Sequence, residues 1–380
     1  MDETRLKRLR EEHPVTERYA YLNHAAVAPL PRRAVQRMAA MAEDVSLTGD
    51  QHWAARNEET ERVRGLAARI LGARDPREVS FCENTSTGLS YIAEGFVDWQ
   101  PGDNVIGACL DFPSNVYPWM RLSDQGVEYR RIPERDGRVD DGEVISRIDG
   151  RTRMVALSWV QYASGYRCDL ARIGRACRER GALLVVDVIQ GLGALELNVE
   201  RELVDAAVGA SHKWLLGPEG IGLLYVSDRI VERIRPTRSG WRSMRDQLAW
   251  TEFHVDFNEG AKRFESGTLN AYGITALGAS LEILLEVGMN EVERRILSLA
   301  DRAAIGLAER GWQVISSRAK GETSGIVTAV HPDHDADETV GKLAGRGVIV
   351  ASRAGRLRVS PHFYNTEAEV DRLLAELGGL

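Results

Sequence analysis

The stretch 210-ASHKWLLGPEGIG-222 sets a lysine directly after a histidine, in apolar surroundings, and follows it with three glycines. Lys213 has Trp214, Leu215 and Leu216 on one side and the small residues Gly209 and Ala210 on the other. The segment comes straight after 205-DAAVGA-210, a short apolar run that reads as a strand. An amine in an apolar cleft has its charged form disfavoured by desolvation, which lowers its pKa. A neutral amine can form a Schiff base with a carbonyl. A lone lysine is more often a surface residue whose head stays in water. Lys213 therefore takes its meaning from what surrounds it.

The strand before Lys213 is one of several. Apolar runs 104-NVIGACL-110, 127-VEYRRI-132, 154-MVALSWV-160, 183-LLVVDV-188 and 221-IGLLYV-226 are short, rich in Val, Ile and Leu, and mostly bounded by Gly, Asp or Pro. Helix-like segments such as 170-LARIGRACRERGA-182 lie between them. This alternation predicts an α/β fold with a mostly parallel sheet covered on both faces. Ligands of such sheets bind at the carboxyl ends of the strands. The texture changes after about residue 250. Residues 273–288 read as a helix with Ile274, Leu277, Leu281 and Leu284 on one face, and 293–310 continue helically. Thr366 followed by Glu369 forms a capping box that opens a last helix with Val370, Leu373, Leu374 and Leu377 as its apolar stripe. The expected organisation is a large domain over 21–254 and a smaller α+β domain over 255–380. The helix-like residues 1–20 are expected to pack on the smaller one.

Composition narrows the function classes. The 380 residues are 43% hydrophobic and 28% charged, with a net charge of −7 and no Lys/Arg block, which argues against a nucleic-acid partner. No apolar stretch approaches the roughly 18 residues of a membrane span, and the charged start, MDETRLKRLREEHP, lacks the apolar core of a signal peptide. Cys82, Cys109, Cys168 and Cys177 form no CxxC pair and no zinc spacing, so no metal is expected and reduced thiols in a cytoplasmic protein are the default. The glycines of 191-GLGAL-195 and 217-GPEGIG-222 match neither a dinucleotide fingerprint nor a P-loop and are read as turn glycines.

Three further features give Lys213 a context. Asp187 ends the apolar strand of 185-VVDVIQG-191, where a carboxylate needs a cationic partner; a protonated pyridine nitrogen or an arginine would serve. Gln190, three residues on, can reach the same ligand. In 83-ENTSTG-88, Thr85, Ser86 and Thr87 offer hydroxyls and backbone N–H groups at a helix start, either as a phosphate cradle or as plain capping. In 111-DFPSNVYPW-119, Phe112 follows a strand end, where a ring can stack on a planar ligand or belong to the core. An amine, an acid for a ring nitrogen, a phosphate cradle and a stacking aromatic together match pyridoxal 5′-phosphate.

The order D-x-x-Q, then S-H-K-x-x-x-G-P-x-G, resembles the class V aminotransferases of fold-type I pyridoxal phosphate enzymes. That group holds cysteine desulfurases, selenocysteine lyases, kynureninases and isopenicillin-N-epimerase-like proteins. The similarity runs from 21-YLNHAAVAPLP-31 to 358-RVSPHFYNTEAEVDRLL-374. The resemblance implies a seven-stranded large-domain sheet, a homodimer with shared active sites and a small-molecule amino-acid substrate. It implies that Lys213 holds the cofactor covalently and later moves the Cα proton. It implies Asp187 on the pyridine nitrogen, Gln190 and Tyr162 near the ring hydroxyl, and Phe112 stacked on the ring. Thr85, Ser86 and His212 would hold the phosphate. Thr268, in 263-RFESGTLN-270, would reach the phosphate of the partner subunit, as would Trp241. Arg358, between Leu357 and Val359 on a candidate strand, would bind the substrate α-carboxylate bidentately. Apart from the resemblance, Asn23 and His24 in YLNHAA either line the substrate side or form a turn at the domain edge, and Arg353 is a candidate to recognise a second acidic group on the substrate.

Two departures bear on the reaction. Where desulfurases carry a phosphate-binding serine, this chain has Ala210, with Ser211 beside it. Where they carry a nucleophilic cysteine shortly before the carboxylate-binding arginine, 348-VIVASRAGRLR-358 is short and has no cysteine, although Cys82 and Cys109 lie near cofactor segments in sequence. The implied reaction is elimination by a lyase, or epimerisation, at Cα of a free amino acid. A transaminase using a 2-oxo acid and a non-catalytic cofactor-binding scaffold are the alternatives.

Overall fold

The structure, a computed structural model, describes residues 1–248 and 251–379. Its centre is a seven-stranded sheet built from β1 (Val79–Cys82), β2 (Asn104–Ala108), β3 (Glu128–Ile132), β4 (Thr152–Ser158), β5 (Leu183–Asp187), β6 (Ala206–Ala210) and β7 (Gly222–Val226). Their order across the sheet is β1-β7-β6-β5-β4-β2-β3. Only β7 runs antiparallel to its neighbours. Six of these strands coincide with the apolar runs of the sequence. The seventh, β1, is four residues long and too short to announce itself by pattern.

The strands read as unbroken apolar runs because both faces are covered. Along β5, Leu183 and Val185 enter one core cluster while Leu184 and Val186 enter the other. Along β4, Met154 and Ala156 alternate in the same way with Val155 and Leu157. Parallel pairing places the carboxyl ends of β2, β4, β5 and β6 on one edge, which is where the candidate residues follow.

A second sheet of four antiparallel strands comprises Gln313–Val314, Val327–Val330, Arg356–Val359 and Ala351–Arg353 in that spatial order. Its core, with Leu343, Leu357, Val359 and Leu373, also takes in Ala20 and Leu22. Residues Ala20–Tyr21 pair in parallel with Val348–Ile349. The N-terminal helix Glu3–Glu11 is tied nearby, with Arg10 Nη1 donating to Glu369 at 2.8 Å and the Met1 amine to Glu291 at 2.6 Å. The Thr366–Glu369 capping box forms, with Thr366 N donating to the Glu369 carboxylate at 2.7 Å and Glu369 N to Thr366 Oγ at 3.3 Å.

Helix Ala271–Val287 lies within the stretch expected to form the smaller domain. Helix Ala271–Val287 buries Ile274, Leu277, Leu281 and Leu284 in the core of the large sheet and packs on helices Arg32–Thr48 and Trp53–Leu71. At Gly288 the chain turns 84° into helix Met289–Ala308, whose Val292 and Ile296 enter the same core cluster. An amphipathic stripe shows that a helix has a buried face, but not which domain supplies the partner. No single helix among the described residues is long and apolar enough to cross a membrane.

Candidate active site

A cavity of about 280 Å³ opens at the carboxyl edge of the large sheet. Thr85, Ser86, Phe112, Tyr162, Asp187, Gln190, His212, Lys213, Arg353 and Arg358 all line it. Four of the strands deliver these side chains: β2 leads to Phe112, β4 to Tyr162, β5 to Asp187 and Gln190, and β6 to His212 and Lys213.

Lys213 is 8% exposed, and its Nζ lies 5.4 Å from the centroid of the Phe112 ring. Desolvation pulls its amine down to about 8; Asp187 opposes that shift, while Arg358 and Arg353 add to it. The turn that carries it is held from below. Ser211 Oγ donates to Pro218 O at 2.6 Å, so Ser211 braces the turn and does not line the cavity. Gly193, at φ 95°, lets the neighbouring turn pass under Trp214; a Cβ there would stand 2.3 Å from Trp214 O.

Asp187 is fully enclosed. Its Oδ1 accepts from Ile189 N at 2.9 Å, and its Oδ2 is buried with no hydrogen-bond partner among the described residues. Burial pushes the carboxyl well above the usual range, and the charge of Asp111 adds to the effect, while the Ile189 N–H and Lys213 oppose it. An unpaired buried carboxylate oxygen is costly, and a cationic ring N–H is the group that satisfies it. Gln190 is clamped through both ends of its amide: Nε2 donates to Ala25 O at 3.0 Å and Oε1 accepts from Trp214 Nε1 at 3.0 Å. One Nε2–H is left over for a ligand.

The helix Thr85–Gly95 starts at the cavity wall. Asn84 caps it, accepting from Thr87 N at 2.9 Å, and Ser86 Oγ donates to Ser114 Oγ at 2.7 Å. Thr85 Oγ1 accepts from Ala210 N at 3.1 Å, which ties the helix start to β6. Asn84 and Ser114 line the cavity and were not singled out in the sequence. The P-S-N of the Phe112 loop was the available signal for Ser114. Asp111 was also passed over. It is buried, binds Ser158 through both N–H and hydroxyl, and accepts from Phe112 N at 3.0 Å and from Asn115 Nδ2 at 2.9 Å. These bonds fix the loop that presents Phe112, whose ring meets Tyr162 edge-on at 5.4 Å.

Arg358 reaches the cavity from the small sheet and is 1% exposed. Its Nη1 donates to Tyr162 O at 3.2 Å, while Nε and Nη2 have no partner. Burial, helped by the charge of nearby Arg353, lowers its guanidinium to about 9. Among the described residues no carboxylate pairs with it. Such a group demands an anion, and a planar carboxylate fits its fork.

Several expectations are corrected. His24 is wholly buried and does not line the cavity; its ring bonds Ser360 O at 3.0 Å and the Tyr364 hydroxyl at 2.6 Å. Asn23 forms a bridge to Ser360 and is likewise outside the lining. The chain offers Ala25, Ala26 and Val27 to the cavity instead. Within one chain, Thr268 and Trp241 are not brought to Lys213; they line a separate cavity of about 260 Å³ with Trp53, Asn57 and Tyr272. Cys82, Cys168 and Cys177 are buried, with burial raising each thiol, and Cys109 is half-buried outside the cavity lining.

The family profile described as aminotransferase class-V matches residues 20–373. A probable cysteine desulfurase of Methanothermobacter thermautotrophicus is 26% identical, with 99% of each chain covered. An uncharacterised aminotransferase of Bacillus subtilis is 28% identical over 86% of this chain and 85% of its own. Among solved structures, an apo cysteine desulfurase of Thermococcus onnurineus superposes with a TM-score of 0.89 at 25% identity, covering 98% of each chain. A C-DES mutant with glycine covalently linked to its pyridoxal phosphate cofactor superposes with a TM-score of 0.90, also at 25% identity, covering 97% of this chain and 98% of its own. The chain thus belongs to the aminotransferase class-V family of pyridoxal phosphate-dependent enzymes.

Proposed function

We propose that this chain is a lyase that acts at Cα of a free α-amino acid without a cysteine nucleophile of its own. When bound, pyridoxal phosphate supplies an electron sink for Cα. Lys213 would hold the cofactor through its amine and would take the proton from Cα of a bound substrate. The unpaired Oδ2 of Asp187 would accept from the ring N–H and favour its charged form. The spare Nε2–H of Gln190, with Tyr162 nearby, would donate to the ring hydroxyl, and Phe112 would pack on the ring. The helix start at Thr85 and Ser86, with His212, holds the phosphate. In a homodimer, Thr268 and Trp241 would complete the phosphate site of the partner subunit.

Arg358 carries the reading. A buried guanidinium with two unpaired nitrogens, opening into the cavity of Lys213 and Asp187, suits the carboxylate of a free amino acid. The lyase outcome is favoured over sulfur transfer to the enzyme by the hairpin before it. Strands Ala351–Arg353 and Arg356–Val359 are joined by Ala354 and Gly355 alone, both at positive φ (53° and 69°), in a two-residue turn with no cysteine.

Proton NMR in D₂O tests the reading. Loss of an amino-acid α-proton signal, with a keto acid accumulating over many turnovers and no added acceptor, supports a lyase, and replacing Cys109 by Ser leaves that turnover unchanged. Full activity in Arg358→Ala would sink the proposal. The Bacillus subtilis relative favours a second reading, transamination, which predicts one equivalent of keto acid and a bleached cofactor restored by a 2-oxo acid. Appearance of only the mirror-image amino acid would mean epimerisation.

A further inference from the structure

The hairpin that replaces a cysteine-bearing loop carries three arginines on one face. Arg353 lies opposite Arg356, and Arg358 lies opposite Ala351. Side chains alternate along a strand, so residues 351, 353, 356 and 358 share a face. Arg353 and Arg358 are then diagonal neighbours, with Cα atoms about 7–8 Å apart. Arg356 is already committed: Nη2 donates to Glu134 at 2.9 Å and Nη1 to Ala163 O at 3.3 Å. Arg353 is not. Its one hydrogen bond runs from Nη1 to the carbonyl of adjacent Ser352 at 2.6 Å, and no carboxylate among the described residues pairs with it.

Arg353 lines the same cavity as Arg358 and Lys213. Three cationic side chains therefore face one carboxylate, Asp187. The phosphate of the cofactor is accounted for at the Thr85 helix start, and the α-carboxylate of the substrate takes Arg358. One guanidinium remains, that of Arg353, half-buried at the end of a strand that a two-residue turn holds. With Lys213 holding the cofactor, two guanidinium groups are left for the substrate, and a single carboxylate on Arg358 leaves the charge of Arg353 unmatched.

We propose that the substrate is an α-amino acid with an anionic side chain, its α-carboxylate on Arg358 and its second acidic group on Arg353. This rests on the assignment of Arg358 made above. The side-chain anion also fixes which substrate bonds face Lys213, so Arg353 sets specificity rather than performing a chemical step.

Two measurements on the pyridoxal phosphate-loaded protein test it. In the first, succinate and propionate are titrated calorimetrically against the wild type, Arg353→Met and Arg353→Lys. Succinate should bind the wild type more tightly than propionate. Arg353→Met should lose about 10- to 100-fold in succinate affinity, the range for a charge-assisted hydrogen bond, and leave propionate unchanged. Arg353→Lys should recover part of the loss. Equal affinity for the two acids, or equal loss of both in Arg353→Met, overturns the proposal. In the second, α-proton exchange in D₂O is compared for aspartate and glutamate against alanine and cysteine. Faster exchange of the acidic pair, lost in Arg353→Met, is the expected result. Exchange of neutral amino acids at equal or higher rate overturns this inference while leaving the Arg358 reading standing. An absence of exchange in every member, together with loss of propionate binding in Arg358→Ala, overturns the acidic-substrate inference and leaves Arg358 as a carboxylate site.

Discussion

Trp214 Nε1 donates to Gln190 Oε1 at 3.0 Å, so the residue after the lysine fixes the amide that stands three residues after the acid. Trp214 is fully buried, and its own carbonyl accepts from His362 Nε2 at 3.1 Å. The turn holding Lys213, the strand end holding Asp187 and the small domain thus meet through one residue, Trp214. Trp214→Phe keeps the packing and removes the donor. Cofactor affinity should fall about 5- to 10-fold, equivalent to about 1 kcal/mol for one buried hydrogen bond, as read by titrating apoprotein with pyridoxal phosphate. Unchanged affinity would mean that Ala25 O holds Gln190 alone.

The amine of Lys213 is lowered to about 8 by burial. Only its uncharged form attacks an aldehyde. The rate of covalent cofactor capture should therefore rise with pH up to about 8 and level off above it, instead of rising until pH 10 as for a solvated lysine. Stopped-flow absorbance over this range checks the profile, and Lys213→Ala should abolish capture at every pH.

Asp187→Asn exchanges a buried carboxylate for a neutral amide of the same shape. Lys213 still attaches the cofactor, but the ring nitrogen loses its anionic partner. Turnover should drop about 100- to 1,000-fold while cofactor stoichiometry stays at one per chain. The apoprotein should be no less stable than wild type in urea, because the unpaired Oδ2 of Asp187 is an expense of the folded state.

Acid should loosen the protein through its buried histidines. His13 and His24 are lowered to about 4 and about 3 by burial, and burial lowers His362 well below its usual value. The His13 ring stacks on Tyr364 at 3.8 Å, and His24 lies 5.0 Å from His362. A folded-state pKa below the unfolded value means that the unfolded chain binds more protons. Stability should then be full above about pH 6.5 and fall as pH drops towards 4. His13→Phe keeps the stack and removes one titrating group. Its stability slope over that window should be shallower by up to about 1.4 kcal/mol per pH unit in urea titrations.

Gly193→Ala places a methyl 2.3 Å from Trp214 O at a φ of 95°. The substitution should lower stability by more than about 2 kcal/mol, from backbone strain and a steric clash with a buried chain. Urea unfolding reads that loss, and cofactor titration should show weaker binding because the displaced turn carries Lys213.

Much of the site was legible because it is local. Asp187 ends a strand, Lys213, Gln190, Thr85, Ser86 and Phe112 each follow one by a few residues, and parallel strands gather their ends on one edge. His24 was misplaced for the converse reason. In YLNHAA nothing distinguishes the side chain that faces a ligand from the one that faces a neighbouring strand, and the buried bonds to Ser360 and Tyr364 lie more than 330 residues away. Thr268 and Trp241 line another cavity of the single chain, so their roles stand as proposals about a second copy.

The amino-acid sequence by itself determined the α/β fold class, the family motif and the chemistry available at the strand ends, because strand pattern and motif spacing are short-range properties. Only the tertiary structure decided which charges stay unpaired. That Asp187 Oδ2 and two Arg358 nitrogens lack partners among the described residues, that Arg356 is tied to Glu134 while no described carboxylate pairs with Arg353, and that helix Ala271–Val287 joins the large core are outcomes of packing between distant segments. Burial and pairing depend on what the rest of the chain brings into contact, and no local pattern encodes that.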